Sequence, residues 1–162
     1  MMSVSKARRC KALNELIESR GIFLDCDCGS KEEILSFIAG KAQEFGITDS
    51  QDALLQDLKN REEEFSTGLS EGFAIPHART ENVKRVNVFF LRNRTPLKWE
   101  TLDGQDVTCL FALLVPEKNE GNIHLQMISS LATNLMEDDF CRTVKECQDR
   151  DMLQSFILNT IA

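Results

Sequence analysis

The chain holds two histidines, His77 and His124, so any chemistry performed by imidazole rests on one or both of them. His77 sits in the run Ser66-Thr67-Gly68-Leu69-Ser70-Glu71-Gly72-Phe73-Ala74-Ile75-Pro76-His77-Ala78-Arg79. Phe73-Ala74-Ile75 reads as a short apolar strand that runs into Pro76 and delivers His77 at its end. Proline fixes its own φ and restricts the residue before it, so the backbone feeding His77 is stiff. A stiff strand end presents a side chain at a fixed angle, as a nucleophile or ligand requires. Hydroxyls of Ser66, Thr67 and Ser70, amides around Gly68 and Gly72, and the guanidinium groups of Arg61 and Arg79 lie close in sequence. Imidazole, hydroxyl, amide and guanidinium together suit a phosphate. The same ring could also serve as a plain hydrogen-bonding group at a strand end.

His124 falls in the first turn of a helix expected to start behind Glu120-Gly121-Asn122, with Asn122 as its cap. Unpaired N–H groups and the positive dipole end favour an anion there. That field disfavours a second positive charge and so holds an imidazole neutral. A surface histidine in a first turn is the alternative reading.

The elements that must carry these groups follow from periodicity and punctuation. Cys10, Leu13 and Ile17 share a helical face that Gly21 is expected to stop, and residues 21–25 read as a short strand or extended entry. Ser30-Lys31-Glu32-Glu33 fits a capping box, with Ser30 as N-cap and Glu33 reaching back. Leu35, Ile38, Ala42 and Phe45 line the helix behind it, which Gly46 ends. Asp49 or Ser50 caps a further helix whose buried side is Leu54, Leu55 and Leu58. That helix is expected to end near Arg61, with Glu62-Glu63-Glu64 opening a polar loop. Residues 85–91 alternate and then turn apolar, 97–100 form a minor strand, and Asp103-Gly104 marks a turn. Residues 107–115 are apolar at almost every position and stop at Pro116, as expected where helices cover both faces of a sheet. Three helices follow, marked by Leu125, Ile128, Ala132 and Leu135, by Phe140, Val144 and Cys147, and by Leu153, Phe156, Ile157 and Ile161. The fold class expected is α/β: a single domain over residues 1–162, a central mixed β-sheet flanked by helices on both sides, and an N-terminal helical extension over 1–20.

At 162 residues the chain can bury a core without staples. A formal charge of −7 argues against a nucleic-acid surface, which needs a basic face. No run of about 18 apolar residues offers a spanning helix, and the first ten residues lack the apolar core of a signal peptide. The six cysteines, Cys10, Cys26, Cys28, Cys109, Cys141 and Cys147, are scattered and read as reduced thiols of a cytoplasmic protein. Cys26-Asp27-Cys28 lacks a second Cys/His pair to complete a metal site, and Asp103 reads as a turn residue, so no metal and no cofactor is expected.

Arg61-Glu62, Ser66-Thr67-Gly68 and Gly72-Phe73-Ala74-Ile75-Pro76-His77-Ala78, continued through Trp99, Leu102-Asp103-Gly104, residues 107–115 and His124-Leu125, resemble the enzyme IIA component of the bacterial phosphotransferase system, fructose–mannitol type. The likeness covers roughly residues 20–160, with Ser70 where a small Gly or Ala is usual and Phe73 where an aliphatic is usual. It implies the mannitol-type enzyme IIA fold and a phosphotransferase with a phosphohistidine intermediate in a phosphoenolpyruvate-dependent system. His77 would accept a phosphoryl group from phospho-HPr and pass it to a cysteine of the IIB partner, which serves a membrane IIC permease during sugar uptake. Arg61 matches the family's arginine and His124 its second histidine. Arg61 would offset charge on the phosphoryl oxygens, while His124 and the Thr67 hydroxyl would donate hydrogen bonds. Imidazole, with a reference pKa of about 6.5, needs no separate base for this at neutral pH. A separate soluble subunit is expected, with Phe73 or Leu69 in an apolar rim meeting HPr. Two rivals are a regulatory protein of the nitrogen-related branch and a binding module that has lost phosphorylation. The sugar is not written in the chain.

Overall fold

Helix starts and stops follow the local signals closely. In the computed structural model, which describes residues 16–118 and 123–161 (the side chains of Ile123 and His124 excepted), Ser30 accepts the amide of Glu33 at 3.1 Å to open α1, Lys31–Glu44. The carboxylate of Glu33 turns back to the amide of Gly29 at 2.7 Å, one residue before the expected partner. Gly46, at φ 72°, takes the left-handed turn that ends α1. Ser50 accepts the amide of Ala53 to open α2, Gln51–Glu64. The strands are β1, Ile22–Cys26; β2, Phe73–Ala74; β3, His77–Thr80; β4, Asn87–Leu97; and β5, Val107–Pro116. After them come α3, Ile123–Asn134; α4, Asp138–Glu146; and α5, Arg150–Ile161.

β5 is the spine of the sheet. It runs antiparallel to β4 and parallel to β2 and β3, while β1 runs parallel to β4 at the far edge. Successive side chains of a strand point to opposite faces, and both faces here are covered. Leu110, Ala112 and Leu114 meet Ile34, Ile38, Leu54 and Leu58 of α1 and α2. Cys109, Phe111 and Leu113 meet Met127, Leu131, Val144, Leu153 and Ile157 of α3–α5. Each Leu, Ile, Val, Phe or Met among them, fully buried, contributes about 1.5–3 kcal/mol relative to exposure. The architecture is the expected single α/β domain with a mixed five-stranded sheet between two helical layers.

Five local expectations change. Cys10 and Leu13 lie outside the described residues, and Gly21 closes a 3-10 turn, Ser19–Gly21, rather than a helix. Residues 98–100 form no strand; Leu97 instead ends a β4 longer than expected. α2 does not end at Arg61 but runs to Glu64, because Glu62 continues the spacing of Leu54 and Leu58 onto the buried side. α3 turns Met127 and Leu131 to the core, with Leu135 following just past its end, leaving Leu125 exposed and Ile128 half-buried, because the helix carries two apolar stripes and the sheet takes only one. Finally, His77 does not end the short strand but opens β3. Pro76 has no N–H to give the ladder, so pairing stops there and resumes at His77, opposite Leu113.

Candidate functional site

The sheet edge formed by β3 brings the site together. His77 is fixed by pairing with Leu113, whose amide donates to Pro76 O at 3.0 Å. Two residues on, Arg79 falls on the same face of the strand, with its Nε donating to Glu117 O at 3.1 Å. Both line a cleft of about 460 Å3, walled by Asp57, Asn60, Arg61 and Glu64 of α2 and by Leu125 and Ile128 of α3.

Two contacts decide the state of the imidazole. Nδ1 of His77 lies 2.8 Å from Ile75 O, and a carbonyl only accepts, so Nδ1 carries the proton. Arg61 Nε lies 3.1 Å from Nε2 and only donates, so Nε2 carries the lone pair. The two contacts together call for the neutral Nδ1–H tautomer. Arg61 is held in turn by its Nη1 donating to Phe65 O at 2.9 Å, at the C-terminal end of α2 where the dipole favours a cation. Among the described residues Arg61 makes no ion pair.

The loop before His77 is tightly tied. A Cβ on Gly68 would stand 2.2 Å from Glu100 O, so only glycine fits that approach. Glu71, at φ 60°, donates its amide to Asp103 Oδ2 at 3.0 Å, and Gln105 N donates to Asp103 Oδ1. These amides hold the Asp103 carboxyl below its ordinary range, the Glu71 bond foremost, and the expected turn role is what Asp103 performs here.

Arg61 and His77 are therefore in direct contact. His124 is the second residue of α3; its side chain lies outside the described residues, but its helix borders the cleft through Leu125 and Ile128. Thr67 is placed differently from expectation. It is buried, and its hydroxyl donates to the buried carboxylate of Glu62. A hydroxyl has one proton, so this arrangement does not leave it for a phosphoryl oxygen. Phe73, expected at a partner-facing rim, is fully buried and stacked on Phe111, and Leu69 packs on the core. The exposed apolar side chains nearby are Phe65 (78%), whose carbonyl holds Arg61, and Leu125 (56%), on the wall of the cleft. Glu62 entered the sequence reading only beside Arg61 in the family motif and as the start of a polar loop, with no role of its own, and Asp57 was not singled out. The spacing 54, 58, 62 held the signal for Glu62; Asp57, which accepts from Thr80 and Asn82 at 2.7 Å, had none.

Residues 15–160 match the family described as the phosphoenolpyruvate-dependent sugar phosphotransferase system, EIIA 2. The chain belongs to that family. It is 32% identical over 132 residues to a PTS system fructose-specific EIIA component of Haloferax volcanii, covering 82% of this chain and 85% of that one. The nitrogen regulatory protein IIA-Ntr of Neisseria meningitidis has a similar structure, with a TM-score of 0.82 at 30% identity over 90% of this chain and 98% of that one. A complex of enzyme IIAMTL with phosphorylated enzyme IIBMTL from Escherichia coli shares the fold, with a TM-score of 0.72 at 18% identity over 89% and 99% of the two chains. A IIA protein is thus what the chain is similar to in both its sugar-specific and its nitrogen-regulatory forms. Among the described residues no helix is long and apolar enough to cross a membrane.

Proposed function

We propose that this IIA protein carries a phosphoryl group on Nε2 of His77, taken from phospho-HPr and passed to a cysteine of a IIB partner during sugar uptake. The observation that carries the reading is the pair of ring contacts, Nδ1 to Ile75 O and Arg61 Nε to Nε2, which together call for a lone pair of a rigid strand-end imidazole facing a guanidinium. Phosphoryl transfer proceeds through a loose, charged transition state, so positioning and charge supply most of the catalysis. In the first step the N–P bond of the donor phosphohistidine breaks as the Nε2–P bond forms, and the donor ring regains its lone pair. The Arg61 N–H now on Nε2 moves to the phosphoryl oxygens, while the Ile75 carbonyl holds the developing positive charge at Nδ1–H. In the second step a IIB thiolate attacks phosphorus and Nε2 leaves with its electron pair. His124, the second residue of α3, is assigned the part of a second donor by the family resemblance.

Purified protein given phosphoenolpyruvate, enzyme I and HPr is expected to gain one acid-labile phosphoryl group by mass spectrometry. His77→Ala should gain none; retained label would move the site elsewhere and overturn the assignment. The likeness to IIA-Ntr favours a second reading, in which the same phosphohistidine is a signal. Presenting the phosphorylated protein to IIB proteins of its own genome separates the two. Transfer to a IIB cysteine marks transport, and a label that stays on His77 marks regulation.

A further inference from the structure

Beside Arg61 on α2 stands a carboxylate that the phosphoryl chemistry does not use. Glu62 is 9% exposed and spends both oxygens inside the protein. Oε1 accepts the Thr67 hydroxyl, and Oε2 accepts the Thr67 amide at 3.2 Å and pairs with Lys31 Nζ at 3.1 Å. Lys31 in turn sits over the Trp99 ring, 4.6 Å from its centroid. From Thr67 the contacts run straight to the imidazole. Thr67 O accepts the Ile75 amide at 3.0 Å, and Ile75 O accepts Nδ1–H of His77. On its other side Glu62 shares a helical turn with Arg61, which donates to Nε2.

We propose that Glu62 is a positioning residue that sets both nitrogen partners of His77: through Thr67 and Ile75 it holds the carbonyl that fixes the tautomer, and through the last turn of α2 it aims Arg61. A charged acceptor strengthens each bond it takes. Burial of that carboxylate is tolerable because Lys31 and Thr67 together satisfy it. A carboxylate merely bracing the helix end would need no route to the ring. Here three consecutive bonds lead to Nδ1, and one helical step leads to Nε2. The catalytic part of this inference rests on the phosphohistidine reading; the geometric part does not.

The test uses the full chain. Imidazole 15N spectra of His77 in unphosphorylated protein report its tautomer with no donor present, and transfer from phospho-HPr reports catalysis. Glu62→Gln and Thr67→Val should each move the His77 ring signals toward a tautomer mixture. Each should also lower kcat roughly tenfold, the scale of one charge-assisted bond, with KM for phospho-HPr little changed. Thr67→Ser, which keeps the hydroxyl, should restore the native spectrum and rate. Leu58→Ala, a core cavity in the same helix, should lower the melting temperature without moving the ring signals. Native ring signals in Glu62→Gln and Thr67→Val overturn the proposal, as does an equal shift in Leu58→Ala. Should Glu62→Gln fail to fold, Thr67→Val decides. Should the wild type take no phosphoryl group, the ring signals still decide the positioning role, and the phosphohistidine reading alone falls.

Discussion

The cleft beside β1 encloses about 730 Å3 and the cleft at His77 about 460 Å3. Both are lined by guanidinium groups, yet the charges are spent differently. Around β1, Arg20 pairs with Glu18 and lies over Phe45, Lys41 pairs with Glu44 at 3.0 Å, and Arg94 holds Asp25, while Arg150 donates to the carbonyl of Ser19. The Arg94 pairing keeps the Asp25 carboxyl below its ordinary range, the hydrogen bond from Arg94 being the main cause. Phe23, Phe37 and Phe45 fill the floor with ring contacts. In the smaller cleft Arg61 donates to an imidazole nitrogen and a backbone carbonyl, both neutral. A cation matched to a carboxylate has little left for an incoming anion; one resting on neutral acceptors retains its field. What the smaller cleft adds is an imidazole nitrogen directly against such a guanidinium.

The comparison breaks most sharply at the guanidinium groups. Arg61→Ala should slow phosphoryl transfer by roughly tenfold to a hundredfold, the range for hydrogen bonds to charged groups, measured by quench-flow with phospho-HPr. Arg20→Ala should leave that rate unchanged, and a comparable loss from Arg20→Ala would erase the distinction between the clefts. Next in size, Phe23→Ala should cost about 2–4 kcal/mol of stability in urea unfolding, as expected for a half-buried aromatic with several ring partners, and still transfer at the native rate per folded molecule. A smaller effect belongs to Cys26, whose thiol burial pushes up from 9.0 to about 12, with the neighbouring Cys28 and Asp25 charges adding to it. Because the folded value is the higher one, its stabilisation is complete below pH 9 and fades as pH climbs toward 12. Wild type should therefore lose stability across that window faster than Cys26→Ala in alkaline melting curves. Smallest of all, Asp25→Asn removes an exposed pair and should leave the melting temperature where it was; a clear drop would show that the pairing around β1 is structural rather than incidental.

Much of this arrangement was legible beforehand because its causes are local. Ser30 and Ser50 cap the helices they were expected to cap, Gly46 stops α1, and the apolar run 107–115 lies at the centre of the sheet. Thr67, Phe73 and α3 were misread for a shared reason. A hydroxyl, an aromatic and a two-striped helix each fit more than one neighbour, and the choice was made by residues far along the chain. Glu62 is the plainest case. As one of three consecutive glutamates it looks like a solvated run, but the turn of α2 carries it inward to Lys31 and Thr67.

By itself the sequence determined the elements, the rigid proline–histidine joint, the family, and the pair of groups, Arg61 and His77, able to handle a phosphoryl group. Those properties depend on backbone sterics and side-chain chemistry over a few residues. Only the tertiary structure decided which imidazole nitrogen bears the lone pair, that Arg61 faces it, and that a buried carboxylate backs both. These outcomes depend on the parallel register of β3 on β5 and on where the last turn of α2 packs. Contacts between distant segments form only when a whole sheet and its covering helices are in place.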